Sequence, residues 1–321
     1  MNAFIEVNNL KKYFKTPGGM LHAVDNISFK IQKGETLGVV GESGCGKSTL
    51  GRTLIHLLKN TDGQIKFDGE DITNVSGKRL KELRKDMQIV FQDPFSSLNP
   101  RMTVSQIIGE PMIVSNMYKD NKTIAKKVSE LMDTVGIADR LVNSYPHELD
   151  GGRRQRVGIA RTLALEPKFI VCDEPVSALD VSIQAQVLNL MQDLQEERDL
   201  TYLFITHDLS VVKHISDNIL VMYLGNMVEY ASADKLFENQ YHPYTQALLS
   251  AIPIAKIGHK RKRILLTGEI SSPINPKPGC RFAMRCKYAK DRCHQVQPEM
   301  IEIKDNHHVA CHYVKEINGI E

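Results

Sequence analysis

The sequence predicts an α/β fold: a parallel sheet covered by helices, with an inserted helical subdomain and a small cysteine-rich C-terminal extension. Three observations lead there. Short apolar runs with strand character alternate with segments of helical periodicity, the order that builds a parallel sheet. From residue 93 to residue 166 strand signals give way to helical spacing. Past residue 240 regularity loosens, prolines recur at Pro253, Pro273, Pro276 and Pro278, and four of the six cysteines follow. The expected division is a core at 1–92 and 167–240, a helical subdomain at 93–166 and an extension at 241–321.

In chain order, Phe4 to Val7, Ala23 to Ile31 and Glu35 to Val40 read as strands, the last a short apolar run closed by Gly41. A helix is expected inside GKSTLGRTLIHLL, where Leu50, Leu54 and Leu57 recur at helical spacing. Gly63 to Phe67 and Met87 to Phe91 are further strands. Ile124, Val128, Leu131 and Val135 sit three or four apart and give one helix an apolar face. Strands return at Phe169 to Cys172 and Tyr202 to Ile205, joined by a helix from Ser182 to Gln195. The basic run His259 to Arg263 reads as a solvated linker face.

The bulk properties bound the function. The 321 residues hold one large domain or two modest ones, with an ordinary apolar share of 42%. A formal charge of +3 calls for no nucleic acid. No apolar run reaches the roughly 18–20 residues that span a bilayer, and the start lacks the pattern of a signal peptide. The expectation is a cytoplasmic protein whose membrane role comes through a partner.

One segment carries chemistry outright. Gly41, Glu42, Ser43, Gly44, Cys45, Gly46, Lys47, Ser48 and Thr49 spell G-x-x-x-x-G-K-[ST] between an expected strand and an expected helix. In that context the run reads as the phosphate loop of a P-loop NTPase, with a glycine-rich turn carrying a chance GKS as the alternative. Its glycines let the backbone wrap a phosphate, and the helix N-terminus supplies partial positive charge. Lys47 suits the β- and γ-phosphates and Ser48 suits Mg²⁺. Asp173 and Glu174 end a buried strand; the first fits a hold on Mg²⁺ and the second a base or positioner for water.

Further strings then fall in a telling order: Gln92 in IVFQDP, Leu149, Asp150, Gly151, Gly152, Arg153 and Gln155 in LDGGRRQ, Ser177, Ala178, Leu179 and Asp180 in SALD, and His207 in FITHD. They resemble the Q-loop, signature, D-loop and switch histidine of the ABC ATPase family, over about the first 240 residues. The resemblance implies two such subunits sandwiching two ATP molecules, each held by one chain's phosphate loop and the other's signature. It implies that Gln92 senses the γ-phosphate and Mg²⁺ and that His207 orients water with Glu174. It also places Phe14, with Tyr13 beside it, against adenine. The family's usual signature has serine where this chain has Asp150; a carboxylate facing a phosphate, offset in part by Arg153 and Arg154 just behind it, implies a weak or inactive composite site and a heterodimer with a different ATPase, with a tolerated variant as the alternative.

YHPYTQALLSAIP (Tyr241 to Pro253) and GEISSPINPKPGCRFAMRC (Gly268 to Cys286) resemble the tail of ATPases from oligopeptide, dipeptide and nickel permeases. That implies a motor on the cytoplasmic face of the membrane, with two permease subunits and an extracytoplasmic binding protein. Short peptides are the expected cargo, with nickel or another small solute as the alternative. A soluble ABC ATPase outside transport is the rival class. Cys280, Cys286, Cys293 and Cys311 are spaced C-x5-C-x6-C-x17-C, unlike common zinc sites. Four thiolates suit a [4Fe–4S] cluster or Zn²⁺, with disulfides or unpaired thiols as the alternative. The resemblance implies iron–sulfur, although relatives commonly have proline where Lys287 stands. His307, His308 and His312 are rival ligands near Cys311. Cys172 reads as core, and Cys45 as a thiol that could sensitise the loop to thiol reagents.

Overall fold

A computed structural model describes residues 3–251, 263–266, 268 and 272–320. Residues 259–262 of the basic run lie outside the described residues. In chain order the elements are β1 (Ile5–Thr16), β2 (Gly19–Ile31), β3 (Thr36–Val40), α1 (Lys47–Leu54), β4 (Asp62–Phe67), β5 (Glu70–Asp71), α2 (Gly77–Asp86) and β6 (Met87–Val90). There follow α3 (Pro94–Ser97), α4 (Val104–Val114), α5 (Asn121–Thr134), α6 (Gly151–Leu163), β7 (Phe169–Asp173), α7 (Val181–Arg198), β8 (Thr201–Ile205) and α8 (Leu209–Ile215). The last are β9 (Asn218–Tyr223), β10 (Asn226–Ser232), α9 (Ala233–Glu238), α10 (Pro243–Ser250), α11 (Asp291–Gln295), β11 (Ile301–Lys304), β12 (His307–Val309) and α12 (Val314–Asn318). Two compact units result: Met1–Gln32 with Thr36–Thr73 and Thr206–Glu321, and Lys33–Glu35 with Asn74–Ile205.

In the first unit, β1 pairs antiparallel with β2 and β4, and β5 extends β4. Ile5, Val7, Ile27, Phe29 and Ile31 are buried at alternate positions, the period a half-buried strand requires. β3 is buried throughout and pairs parallel with β9, Val40 opposite Val221, as an uninterrupted apolar strand should. β9 and β10, additional to the strands expected from sequence, form an antiparallel hairpin that β12 and β11 extend. Helix α1 ends at Leu54, so Leu57, expected on its apolar face, is 46% exposed.

The second unit carries three parallel strands, β6, β7 and β8, with Val171 opposite both Ile89 and Leu203. The segment expected to be helical supplies α3 to α6. Side chains start these helices: Thr103 and Gln106 form a capping box on α4, and Asp120 caps α5. Ile124, Val128, Leu131 and Val135 are all buried, as their spacing predicts.

The extension is tied to the first unit by a buried polar knot. Glu229 of β10 accepts the Tyr241 and His242 N–H groups at 2.8 and 3.0 Å and meets His307 Nε2 at 2.7 Å. His242 Nδ1 accepts the Tyr244 N–H at 3.1 Å and so caps α10. Burial pushes the His242 pKa down to about 4, against the pull of the Glu229 charge. Its folded value lies below the ordinary one, so the unfolded chain takes up a proton between about pH 6.5 and 4 that the folded chain refuses. Stability is lost as pH falls through that window, by up to about 3 kcal/mol. Urea midpoints taken from pH 7 to 4 should fall, and His242→Asn, which keeps the cap, should flatten the slope.

Candidate nucleotide site

The phosphate loop lies in the first unit, between β3 and α1. Gly46 precedes α1 with φ 105° and offers no side-chain cap, so no capping side chain stands at the positive end of the helix dipole. A Cβ on Gly46 would sit 2.0 Å from the Ala23 carbonyl oxygen, and one on Gly41 2.2 Å from that of Met222. Only glycine permits this approach. Lys47 is 4% exposed, and its Nζ donates to the Gly41 and Glu42 carbonyls at 2.8 and 3.1 Å. The ammonium thus closes the loop on itself, at the place where a phosphate would compete for it. Cys45 is 3% exposed, and burial raises its thiol pKa despite the Lys47 charge. That counts against the thiol-reagent sensitivity expected from sequence.

The same unit holds the aromatic hairpin and His207. Phe14 is half-buried on β1, with Lys12 Nζ 4.7 Å from its ring centroid. Tyr13 stacks on His22 at 3.9 Å and donates its hydroxyl to Asp25. His207 is exposed just before α8, which Asp208 caps through the Ser210 N–H at 2.8 Å.

Asp173, Glu174, Gln92, the LDGGRRQ run (149–155) and the SALD run (177–180) lie in the second unit. Asp173 is 1% exposed at the end of β7. Glu174 follows with φ 50°, and this left-handed step breaks the strand's alternation. Gln92 Nε2 donates to Glu174 Oε2 at 3.0 Å, and the Ser177 N–H and hydroxyl hold the Glu174 carbonyl at 3.3 and 3.1 Å. Asp180 caps α7 through the Ile183 N–H at 3.0 Å, while Ala178 is exposed and Leu179 half-buried.

Asp150 caps α6, accepting the Arg153 N–H at 2.8 Å, with the Arg153 guanidinium 3.4 Å away. Arg154, read from sequence as a second counter-charge, instead donates to the Pro146 carbonyl at 2.6 Å and lies over Phe95. Asp150 and Arg153 side chains are 59% and 48% exposed, whereas Leu149, Gly152 and Gln155 are buried.

Cys280, Cys286, Cys293 and Cys311 line one cavity with Phe282 and Tyr313. None is in a disulfide. Burial pushes the Cys280 and Cys311 thiols up to about 12 and about 11. Among the described residues no three His, Cys, Asp or Glu side chains form a ligand set for a single metal ion. Of the rival ligands, His307 is committed to Glu229 and His308 to the Asn306 carbonyl at 3.0 Å. His312 borders the cavity with Nε2 2.8 Å from the Val296 carbonyl. Cys172 is fully buried on β7, in agreement with a core role. Sequence reasoning did not single out Tyr244, whose hydroxyl accepts the Glu42 N–H at 2.8 Å across 202 residues; no local signal links positions so far apart.

The family described as "ABC transporter" matches residues 24–177, and "Oligopeptide/dipeptide transporter, C-terminal region" matches residues 228–293. The oligopeptide transport ATP-binding protein AppF of Bacillus subtilis is 55% identical over 96% of both chains. This chain belongs to the ABC transporter family. OppF of Salmonella typhimurium, also an oligopeptide transport ATP-binding protein, is 49% identical over 97% of this ABC chain and 93% of its own. Among solved structures, cbiO1 of Clostridium perfringens matches with TM-score 0.67 and 31% identity, over 75% of this chain and 92% of that one. The ATP-binding cassette MJ0796, solved as a dimer with ADP and Pi, matches at 0.66 and 28% over 71% and 98%.

The capping role of Asp150 in this ABC ATPase separates structure from chemistry. Asp150→Ala should lower stability by about 1 kcal/mol, while Asp150→Ser, another capping residue, should stay within about 0.5. Urea unfolding of the two variants measures the difference.

Proposed function

We propose that this chain is the ATP-hydrolysing subunit of an importer of short peptides, acting on the cytoplasmic face of the membrane. The observation that carries the reading is the closed phosphate loop, with buried Lys47 at the uncapped start of α1. Loop N–H groups and Lys47 receive the β- and γ-phosphates as Lys47 exchanges its own loop carbonyls for phosphate oxygens. Phe14 stacks on the base. Ser48, Gln92 and Asp173 are the proposed partners of Mg²⁺, which neutralises charge on the phosphates. Glu174, held by Gln92 at 3.0 Å, orients the attacking water, and His207 contacts the γ-phosphate. The peptide cargo is supported by the oligopeptide transport relatives and by the match to their C-terminal region.

The signature would act on the ATP of a second ATPase, supported by a pair of permease subunits and an extracytoplasmic binding protein. At about 4 Å and an effective dielectric of about 20, a carboxylate meeting a phosphate charge costs ~4 kcal/mol. Arg153 beside Asp150 offsets part of this, and Arg154 is turned away. The composite site with this signature is therefore the weaker one, which favours a heterodimer. In the assembled complex, Lys47→Ala should abolish tight Mg-ATP binding, and Glu174→Gln should keep binding while lowering hydrolysis by about 100-fold or more. Unchanged affinity in the first and unchanged turnover in the second would overturn the reading.

The four cysteines are proposed to hold a [4Fe–4S] cluster. Their shared cavity and thiol chemistry support this, and such a group would pin the extension rather than carry electrons. Metal binding has to ionise thiols that burial keeps protonated, so uptake should release protons and weaken toward acid pH. Iron and zinc analysis of anaerobically purified protein should find about four iron atoms per chain. Zinc alone would replace the cluster with an ion, and neither metal would remove the proposal.

A further inference from the structure

The extension reaches back to the nucleotide loop of its own unit at two places. At the phosphate end, Arg285 meets Glu42 in a bidentate pair, Nη1 to Oε2 at 2.7 Å and Nη2 to Oε1 at 3.2 Å. The Arg285 side chain is 9% exposed and that of Glu42 25%. Tyr244 holds the backbone N–H of the same residue at 2.8 Å. At the aromatic end, Arg281 pairs with Asp25 and donates to the Leu224 carbonyl at 3.1 Å. Asp25 in turn accepts the Tyr13 hydroxyl and meets His22 Nδ1 at 3.0 Å. Just upstream, Asn275 exchanges hydrogen bonds with the Met20 backbone, both 2.8 Å, and the His22 N–H donates to Pro273 at 3.0 Å. One short stretch of chain therefore grips both the phosphate loop and the β1–β2 hairpin that presents Phe14.

Charge gives this grip a purpose beyond packing. Glu42 is an anion in a loop built to receive a polyanion. Unpaired, it would repel incoming phosphates and be free to fold toward Lys47. A forked guanidinium suits the carboxylate geometry and both neutralises it and draws it away. Lys47 stays available for the phosphates because Arg285, from outside the loop, meets the Glu42 charge. Asp25 stands in the same relation to Arg281: a largely buried carboxylate that, once neutralised, holds the stacked Tyr13 and His22 on the β1–β2 hairpin that also carries Phe14.

We propose that Arg285 and Arg281 are positioning residues of the ATP site, Arg285 by neutralising Glu42 in the phosphate loop and Arg281 by fixing the aromatic hairpin through Asp25. The extension is then a wall of the nucleotide site. This rests on the reading of Gly41 to Thr49 as the ATP-binding loop, and Lys47→Ala is the control for that reading.

The test measures Mg-ATP and inorganic tripolyphosphate affinity by calorimetry on the full chain, cysteines intact. Arg285→Ala should weaken both ligands about tenfold or more, because the uncovered carboxylate acts on phosphate charge. Adding Glu42→Ala should restore affinity to within about threefold of the parent, and Arg285→Lys should fall between. A tail that merely packs would not be rescued by deleting a carboxylate. Arg281→Ala should weaken Mg-ATP by about threefold or more and leave tripolyphosphate alone, since it acts at the base. If Arg285→Ala does not fold, Arg285→Lys with and without Glu42→Ala reads the same coupling. Loss of binding in Lys47→Ala together with parental affinity in Arg285→Ala, or a double variant as weak as Arg285→Ala, overturns the proposal for Arg285. Equal losses for both ligands in Arg281→Ala, or none, overturn it for Arg281. Parental affinity in Lys47→Ala would instead sink the reading of the loop.

Discussion

A peptide backbone can surround a phosphate only where no side chain stands between the loop and the strands behind it. In this chain that condition is met at Gly41 and Gly46, where an added methyl group would fall on the carbonyls of Met222 and Ala23. Both carbonyls belong to the sheet framework of the same unit, so the loop is pressed against a rigid wall. Helix α1 then starts at Gly46 without a side-chain cap, so no serine or aspartate stands at its N-terminus. Lys47, nearly buried, supplies the counter-charge from within.

Several other helices are capped by side chains, although α2, α9, α11 and α12, like α1, are not. Asp93, Thr103, Asp120, Asp180 and Asp208 each accept a backbone N–H at the start of a helix. Asp150 does the same for α6, so its carboxylate has a structural task that an incoming phosphate would disturb. The local cap and the chemistry expected of the signature therefore compete for one side chain. At Glu174 a single left-handed residue at the end of β7 brings its carboxylate to Gln92, which two adjacent residues of a regular strand could not both achieve.

The C-terminal extension reads from composition as an appendage, yet its contacts are those of a structural member. Buried Glu229 gathers Tyr241, His242 and His307, and the Tyr223, Tyr244 and Phe282 rings pack edge to face or tilted against one another beneath the loop. Removing the extension would therefore strip hydrogen bonds from the phosphate loop itself. The four-cysteine cavity lies on the same turns, with Cys280 next to Arg281 and Cys286 next to Arg285.

Much of this was legible in the sequence, because the signals are local. The fully buried β3 and β7, the period of α5 and the G-x-x-x-x-G-K-S run each depend on residues near in sequence, and backbone sterics allow few answers. Strand β1 was legible only at its start; its polar continuation through Lys12 and Thr16 is a strand because β2 pairs with it. Leu57 was misplaced because helix α1 stops at Leu54, where His56 turns left-handed. By itself, then, the sequence determined the phosphate loop, the order of the motifs and the presence of a cysteine-rich tail. Only the tertiary structure decided that Arg154 leaves Asp150 for Pro146, that His307 is committed to Glu229, and that Arg285 and Tyr244 meet Glu42. Charge and hydrogen-bond partners far apart along the chain are chosen by which surfaces pack together, and no local pattern encodes that choice.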